Sequence, residues 1–176
     1  PKANTANAFS LDGFALSSAN LYSAVQPGGS LFGLQESNPV DPRVVYGGKE
    51  RAYGTVRDFM VGKKPGGVNV FGGGLALYDA TSGEVIGAVG LSGDTSCADH
   101  NIAWRVRHAL NMDNVPAGVA PVVVGKPAGK DNIVFDIRPT TGKSTSGWGH
   151  PTCLGGAADS TRGTNLPTDY PLGPTP

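Results

Sequence analysis

VNVFGGGLALYDATSGEVIGAVGLSGDTSCADHNIAWRVRHAL, running from Val68 to Leu110, divides into strand, turn, strand, tight glycine loop and helix. Val68 to Tyr78 is apolar and β-prone but is interrupted by Gly72-Gly73-Gly74. Glycines inside a strand pattern predict a bulge, or a place where another backbone or a ligand comes close. Thr81-Ser82-Gly83 supplies the turn, with Gly83 free to take positive φ. Glu84 to Leu91 is the return strand. Val85, Val89 and Leu91 share one face, while Ile86, Ala88 and Gly90 leave the other nearly flat, so something is expected to pack closely there.

The helix that follows carries start and stop signals. Asp94, Thr95 and Ser96 are candidate N-caps, and Asp99 falls in the first turn, where the helix dipole favours an anion. Ala98, Ile102, Val106, Ala109 and Leu110 recur at helical spacing and predict the buried stripe. Asn111 is the expected stop. A glycine-rich strand end opening a helix can bind an anion, but neither GxxxxGK[ST] nor GxGxxG occurs. Gly90-Leu91-Ser92-Gly93-Asp94 departs from the GxSxG nucleophile pattern at its last position, so Ser92-Gly93 reads as a strand-to-helix turn.

Gly72 to Gly74, then Gly83 to Gly93, then Asp99-His100-Asn101-Ile102-Ala103 resemble, in order and spacing, the signature of the GlcG/HbpS family of haem-binding proteins. Lys2-Ala3-Asn4-Thr5-Ala6-Asn7-Ala8-Phe9 is similar to that family's "K-A-x-T-A-x-x-F" helix, so the resemblance covers about residues 2 to 112. It implies an α/β (α+β) profilin-like sandwich, an antiparallel sheet flanked by helices, in a family with haem-binding and haem-degrading members. On this reading residues 1–112 form the family domain, and 113–176 are a loop-rich C-terminal extension rather than an independent domain.

Length and composition bound the rest. A chain of 176 residues is expected to be one domain burying about 70% of its unfolded surface. Its 27 glycines and 14 prolines predict much irregular structure. Fourteen basic residues balance 14 acidic ones, which gives no footprint for nucleic acid, and no apolar run approaches the ~20 residues of a membrane span. The first residue is Pro1, which reads as a processed, truncated or renumbered start. Members of the resembled family usually carry a helix and a β-hairpin ahead of the segment matched by residues 2–9. The expectation is therefore an oligomer in which a second polypeptide, or a neighbouring subunit, completes the sheet; otherwise this branch lacks those elements.

Residues 2 to 24 read as two helices separated by Gly13, and residues 35 to 67 as a long surface excursion. Its cations, Arg43, Lys49, Arg51, Arg57, Lys63 and Lys64, either meet carboxylates such as haem propionates or are solvated loop charge. Val122 to Val124 and Ile133 to Ile137 look like short strands, and Gly155 to Pro176 has no periodicity, so it is expected to wrap an adjacent surface. Cys97 and Cys153 predict one disulfide pinning the extension to the helix, stabilising by ~4–5 kcal/mol in the chain-entropy model. Free thiols or thiolate ligation of a metal are the alternatives. The bond implies an oxidising compartment, the periplasm or outside the cell.

Haem iron needs an axial ligand such as His, and His100, His108 and His150 are the three histidines. His100, Trp104 and His108 are spaced four apart, on the face opposite Ile102 and Val106, with Arg107 nearby for a carboxylate; the same face would equally suit a subunit contact. His150 is the other candidate ligand. An enzyme reading gathers Ser92, Asp94, Asp99 and His100 beside Gly72, Gly73 and Gly74 as a small-molecule pocket, although capping accounts for the aspartates. Three functions remain open: an extracytoplasmic haem- or tetrapyrrole-binding module, a non-haem interaction subunit, and a small-molecule or haem-degrading enzyme.

Overall fold

The structure, a computed structural model, describes residues 1–122, 124–154 and 157–173. At its centre β1 (Gly74–Tyr78) pairs antiparallel with β2 (Val85–Gly90). Asp79 ties the connecting turn: its Oδ1 accepts from the Thr81 and Ser82 amides at 2.9 and 2.7 Å, and Gly83 turns the chain at φ +72°. The ladder shifts register between Leu77 and Tyr78, which pair with Gly87 and Val85. Ile86 is the extra residue and is left 54% exposed. The bulge thus lies in the return strand, not at Gly72–Gly74. Those glycines meet the other expectation, close backbone approach: a Cβ on Gly72, Gly73 or Gly74 would collide with the carbonyl oxygens of Ser96, Leu91 and Lys2 respectively.

The flat side of the hairpin is covered by α1 (Lys2–Ala8). Gly74 and Gly90 are register partners, and both lie under the first residues of α1; a Cβ on Gly90 would come within 2.7 Å of the Ala3 nitrogen. On the opposite side Leu75, Val89 and Leu91 pack with Ala103 and Trp104 of α5 (Ser96–Ala109) and with Leu166 of α6 (Ala157–Asp169). The result is an α+β arrangement with α1 on one face of the sheet and α5, backed by α6, on the other. Between α1 and the sheet come a 3-10 turn at Ser18–Asn20 and α2 (Leu21–Ala24), then the excursion with single-turn α3 (Leu34–Ser37) and α4 (Pro42–Val45) and a 3-10 turn at Glu50–Ala52. An isolated bridge, Val40 to Gly66, closes the excursion. Among the described residues no helix is long and apolar enough to cross a membrane.

α5 begins and ends where expected: Thr95 accepts from the Ala98 amide at 3.2 Å, and Asn111 takes φ +53° just past the last turn. Its buried face is not the expected one. Ile102 is 41% and Leu110 52% exposed, while His100, Trp104 and Arg107 are at most 1% exposed. The apolar periodicity pointed the wrong way because the extension supplies a hydrogen-bond partner for the His100, Trp104 and Arg107 side chains on the other face. Burial of a polar side chain is tolerated where its hydrogen bonds are made.

The extension also departs from expectation. Ile133 to Ile137 forms no strand beyond the Ile137–Ser144 bridge and a bond from the His150 amide to the Val134 carbonyl at 2.7 Å, since its apolar side chains are buried against α5 and α6 rather than in a sheet. Val122 and Val124 form no strand, and Val123 lies outside the described residues. Within Gly155 to Pro176 the chain forms α6, which Gly163 and Pro167 had concealed; residues 155, 156 and 174–176 are outside the description. Pro167 has no N–H to give to the Gly163 carbonyl one turn back. Asn132 Nδ2 donates to that oxygen instead, at 2.8 Å, so the helix passes the proline with no unpaired carbonyl there.

Candidate functional site

The buried face of α5 is a hydrogen-bonded seam. Arg107 grips Asp131 in a two-pronged ion pair at 2.6 and 2.9 Å and gives a third bond to the Ala76 carbonyl at 3.1 Å. Both side chains have no exposed surface. The guanidinium lies 4.8 Å from the Trp104 ring, whose Nε1 donates to the Tyr170 carbonyl at 3.0 Å. His100 Nε2 is 3.2 Å from both the Asn132 carboxamide oxygen and the Ile133 amide, and Nδ1 has no partner among the described residues. Burial holds the His100 pKa down to about 4, so the ring is neutral at physiological pH. His100, Trp104 and Arg107 therefore hold the core, and none offers an open face to a cofactor.

His108, one turn on, is different. Its side chain is 22% exposed, and its Nδ1 lies 2.8 Å from a carboxylate oxygen of Asp113, which is 1% exposed. With Nδ1–H donating to that carboxylate, Nε2 carries the lone pair. A metal-ligating histidine is usually held from behind in this way. The Tyr170 ring stands edge-on to the imidazole at 5.7 Å, and the Arg105 guanidinium lies 5.5 Å from the centre of the same ring. Tyr170 also lines a groove of about 400 Å³ between α5 and α6, together with Ile102, Arg105, Leu166, the ion pair of Arg162 with Asp159, and the carboxylates of Asp94 and Asp169. This is the size of a small-molecule site. The face of α5 expected inside the core is thus the one that lines a groove.

His150 belongs to a second cluster. Its Nε2 is 2.7 Å from Ser96 Oγ, its Nδ1 is 2.7 Å from the Pro151 carbonyl oxygen, and its ring lies between Tyr22 and Phe135 at 5.4 and 6.4 Å. Burial lowers its pKa, so this imidazole too is neutral. Since the carbonyl can only accept, Nδ1 carries the proton and Nε2 accepts from the Ser96 hydroxyl. The expected disulfide is present between Cys97 and Cys153, whose Cα atoms are 6.1 Å apart. The two sulfurs and a His150 nitrogen lie within 4.8 Å of one another, but the sulfurs are joined to each other rather than free as thiolates.

The proposed glycine pocket does not open. Gly72, Gly73 and Gly74 are buried under other backbone, and Asp99 is taken by Lys2 Nζ at 2.7 Å and by the Asp94 amide at 3.1 Å. Ser92 and Asp94 are exposed on the loop before α5, and the six cations of the excursion are all exposed. Asp113, Asp131 and Tyr170 went unnoticed in the sequence. Asp113 lies five residues beyond His108 and was within reach of a spacing argument, whereas Asp131 and Tyr170 have no local signal.

Neither a curated protein nor a solved structure matches the chain. A family model described as "Haem degrading protein HbpS-like" matches residues 1–107, which takes in α1, the hairpin and nearly all of α5. The match covers more than half of the 176 residues, and the chain belongs to the HbpS-like family.

Proposed function

We propose that this chain is an extracytoplasmic binding protein for haem or a related iron tetrapyrrole, with His108 as the iron ligand. The observation that carries the reading is the anchoring of His108 Nδ1 by the buried Asp113 carboxylate, on a side chain that reaches the surface. Of the three histidines, His100 and His150 are at most 2% exposed and both have Nε2 engaged, so His108 is the one with a nitrogen to offer. The donor set fits the group: an imidazole with a carboxylate behind it, an aromatic ring beside it, and Arg105 in the adjoining groove as a partner for a propionate, Arg162 there being paired with Asp159. The family description supports haem as the ligand class. Haem, when bound, supplies the redox and oxygen chemistry; this chain's residues hold and orient it, with Asp113 fixing the His108 tautomer. The disulfide supports a location outside the reducing cytoplasm.

Haemin titrated into the full chain is expected to give a Soret band. His108→Ala should abolish iron ligation and Asp113→Asn should weaken binding by about 10- to 100-fold, while His150→Ala leaves the band in place. A Soret band unchanged in His108→Ala would overturn the assignment.

One observation favours a second reading, an interaction subunit. Beside the bulge, Leu11, Phe14 and Ile86 are 68%, 37% and 54% exposed, and among the described residues the sheet has two strands. The Asp12 carboxylate, bonded to the Val85 amide at 2.9 Å, brings the loop carrying Leu11 and Phe14 to that end of β2. A second polypeptide extending the sheet there would cover these side chains. A colourless protein in a stoichiometric complex, indifferent to haemin, is the outcome this reading expects.

A further inference from the structure

We propose that Ser96 and His150 form a nucleophile–base pair able to take the acyl group of a small uncharged ester. This inference is independent of the haem reading: it uses a different cluster and a different face of α5.

Three observations carry it. The hydroxyl and imidazole are in contact at 2.7 Å, within the range for a base that removes a nucleophile's proton. The base is itself oriented by a third group, since Nδ1 donates to the Pro151 carbonyl and leaves Nε2 as the acceptor. The pair is also cross-linked: the disulfide joins Cys97, the residue after the nucleophile, to Cys153, three residues past the base. A covalent tie at that point fixes the separation of two groups 54 positions apart in sequence. The serine is half-buried, and Ser92, Gly93, Asp94 and Phe71 are exposed, so the proposal places the approach to Oγ on that side. The Gly72 amide donates to Oγ at 2.7 Å, which fixes the position of the hydroxyl. A ring surface also adjoins the site. Phe71 is 47% exposed and its ring lies 6.2 Å from that of Tyr22, which lines a surface cleft of about 380 Å³. That surface suits an apolar acyl or alcohol group, while the exposed Asp94 nearby disfavours an anionic substrate.

The chemistry balances with water as the second reactant. Ser96 Oγ bonds to the ester carbonyl carbon as its proton passes to His150 Nε2. The tetrahedral adduct expels the alcohol oxygen, which takes that proton and leaves as the alcohol. Water then attacks the acyl-serine, gives a proton to Nε2, and the acid departs as Oγ regains it. The sum is ester plus water to acid plus alcohol. Thiolate chemistry plays no part, because both sulfurs are in the disulfide.

The test is to treat the full oxidised chain with a fluorophosphonate probe and, separately, with p-nitrophenyl acetate. The probe is expected to label the peptide containing Ser96. Ester hydrolysis should fall about 100- to 10,000-fold in Ser96→Ala and in His150→Gln, the range lost when a positioned acid–base partner is removed. Ser30→Ala, an exposed serine far along the chain, should retain both. Circular dichroism and a thermal melt on each variant confirm the fold, and labelling of the unmutated chain does not depend on any variant folding. Absence of probe at Ser96 in the folded wild-type chain overturns the proposal, as does hydrolysis that persists in a folded Ser96→Ala.

Discussion

Arg107 and Asp131 form an ion pair with no exposed side-chain surface, fastening α5 to both the sheet and the extension through one guanidinium. Removing one partner leaves the other charge buried and uncompensated, which costs about 3–5 kcal/mol. Asp131→Asn is expected to lose that much in urea unfolding, and the double substitution Arg107→Met, Asp131→Leu to recover most of it. Equal losses in the single and double variants would refute the pairing argument. His100 gives the protein a pH dependence of definite sign. The unfolded ring protonates near its ordinary value of 6.5, whereas burial holds the folded ring down to about 4. Between these values the unfolded chain binds the extra proton. The contribution is intact above about 6.5 and falls as pH drops toward 4, by up to ~1.4 kcal/mol per unit. His150, lowered by burial in the same direction, steepens the loss. His100→Gln should show a shallower acid limb in stability against pH; an unchanged slope would exclude His100 as its source.

At the scale of elements, α6 depends on one stand-in for ordinary helix chemistry. Asn132 serves the carbonyl that Pro167 cannot, so Asn132→Ala should destabilise by about 1–3 kcal/mol through the orphaned Gly163 oxygen. Gly163 is where α6 lies against α5 and residues 133–135: an added Cβ would come within 3.1 to 3.2 Å of Ile133, Asn101 and Phe135. Gly163→Ala should therefore lower the melting temperature, against the gain of about 1 kcal/mol that helix propensity alone would give. A rise would show that the three neighbours yield. The disulfide closes a loop with a sequence separation of 56, which the chain-entropy model values at about 4 kcal/mol. Cys97→Ser with Cys153→Ser is expected to lose most of that, read by chemical denaturation.

For the whole molecule, the bulge decides what remains exposed. By inserting Ile86 it turns one apolar side chain outward next to Leu11 and Phe14. If a further chain extends the sheet there, Ile86→Lys should reduce the native mass to that of the monomer, measured by light scattering, without changing the melting curve of the isolated chain. An unchanged mass would locate the interface elsewhere. The excursion is a separate exposed surface, with Tyr46 at 78% and Val56 at 91%.

The order strand, turn, strand, helix, the Thr95 cap, the Asn111 stop and the pairing of Cys97 with Cys153 were all legible in the residues, because each rests on local backbone chemistry or on a count. The triple glycine was legible as a point of close approach but not as to what approaches: the carbonyls of Ser96, Leu91 and Lys2 come from three separate segments. The face of α5 was misread. Apolar periodicity assumes that polar groups stay in water, and His100, Trp104 and Arg107 stay out of it because Asn132, Tyr170 and Asp131 arrive from more than 20 residues away to bond them. The sequence by itself determined the central hairpin, the helix that follows it and the cross-link. Only the tertiary structure decided which side of the helix is core, and hence that His108, not His100, reaches the surface, because burial of a polar side chain depends on partners that no local pattern contains.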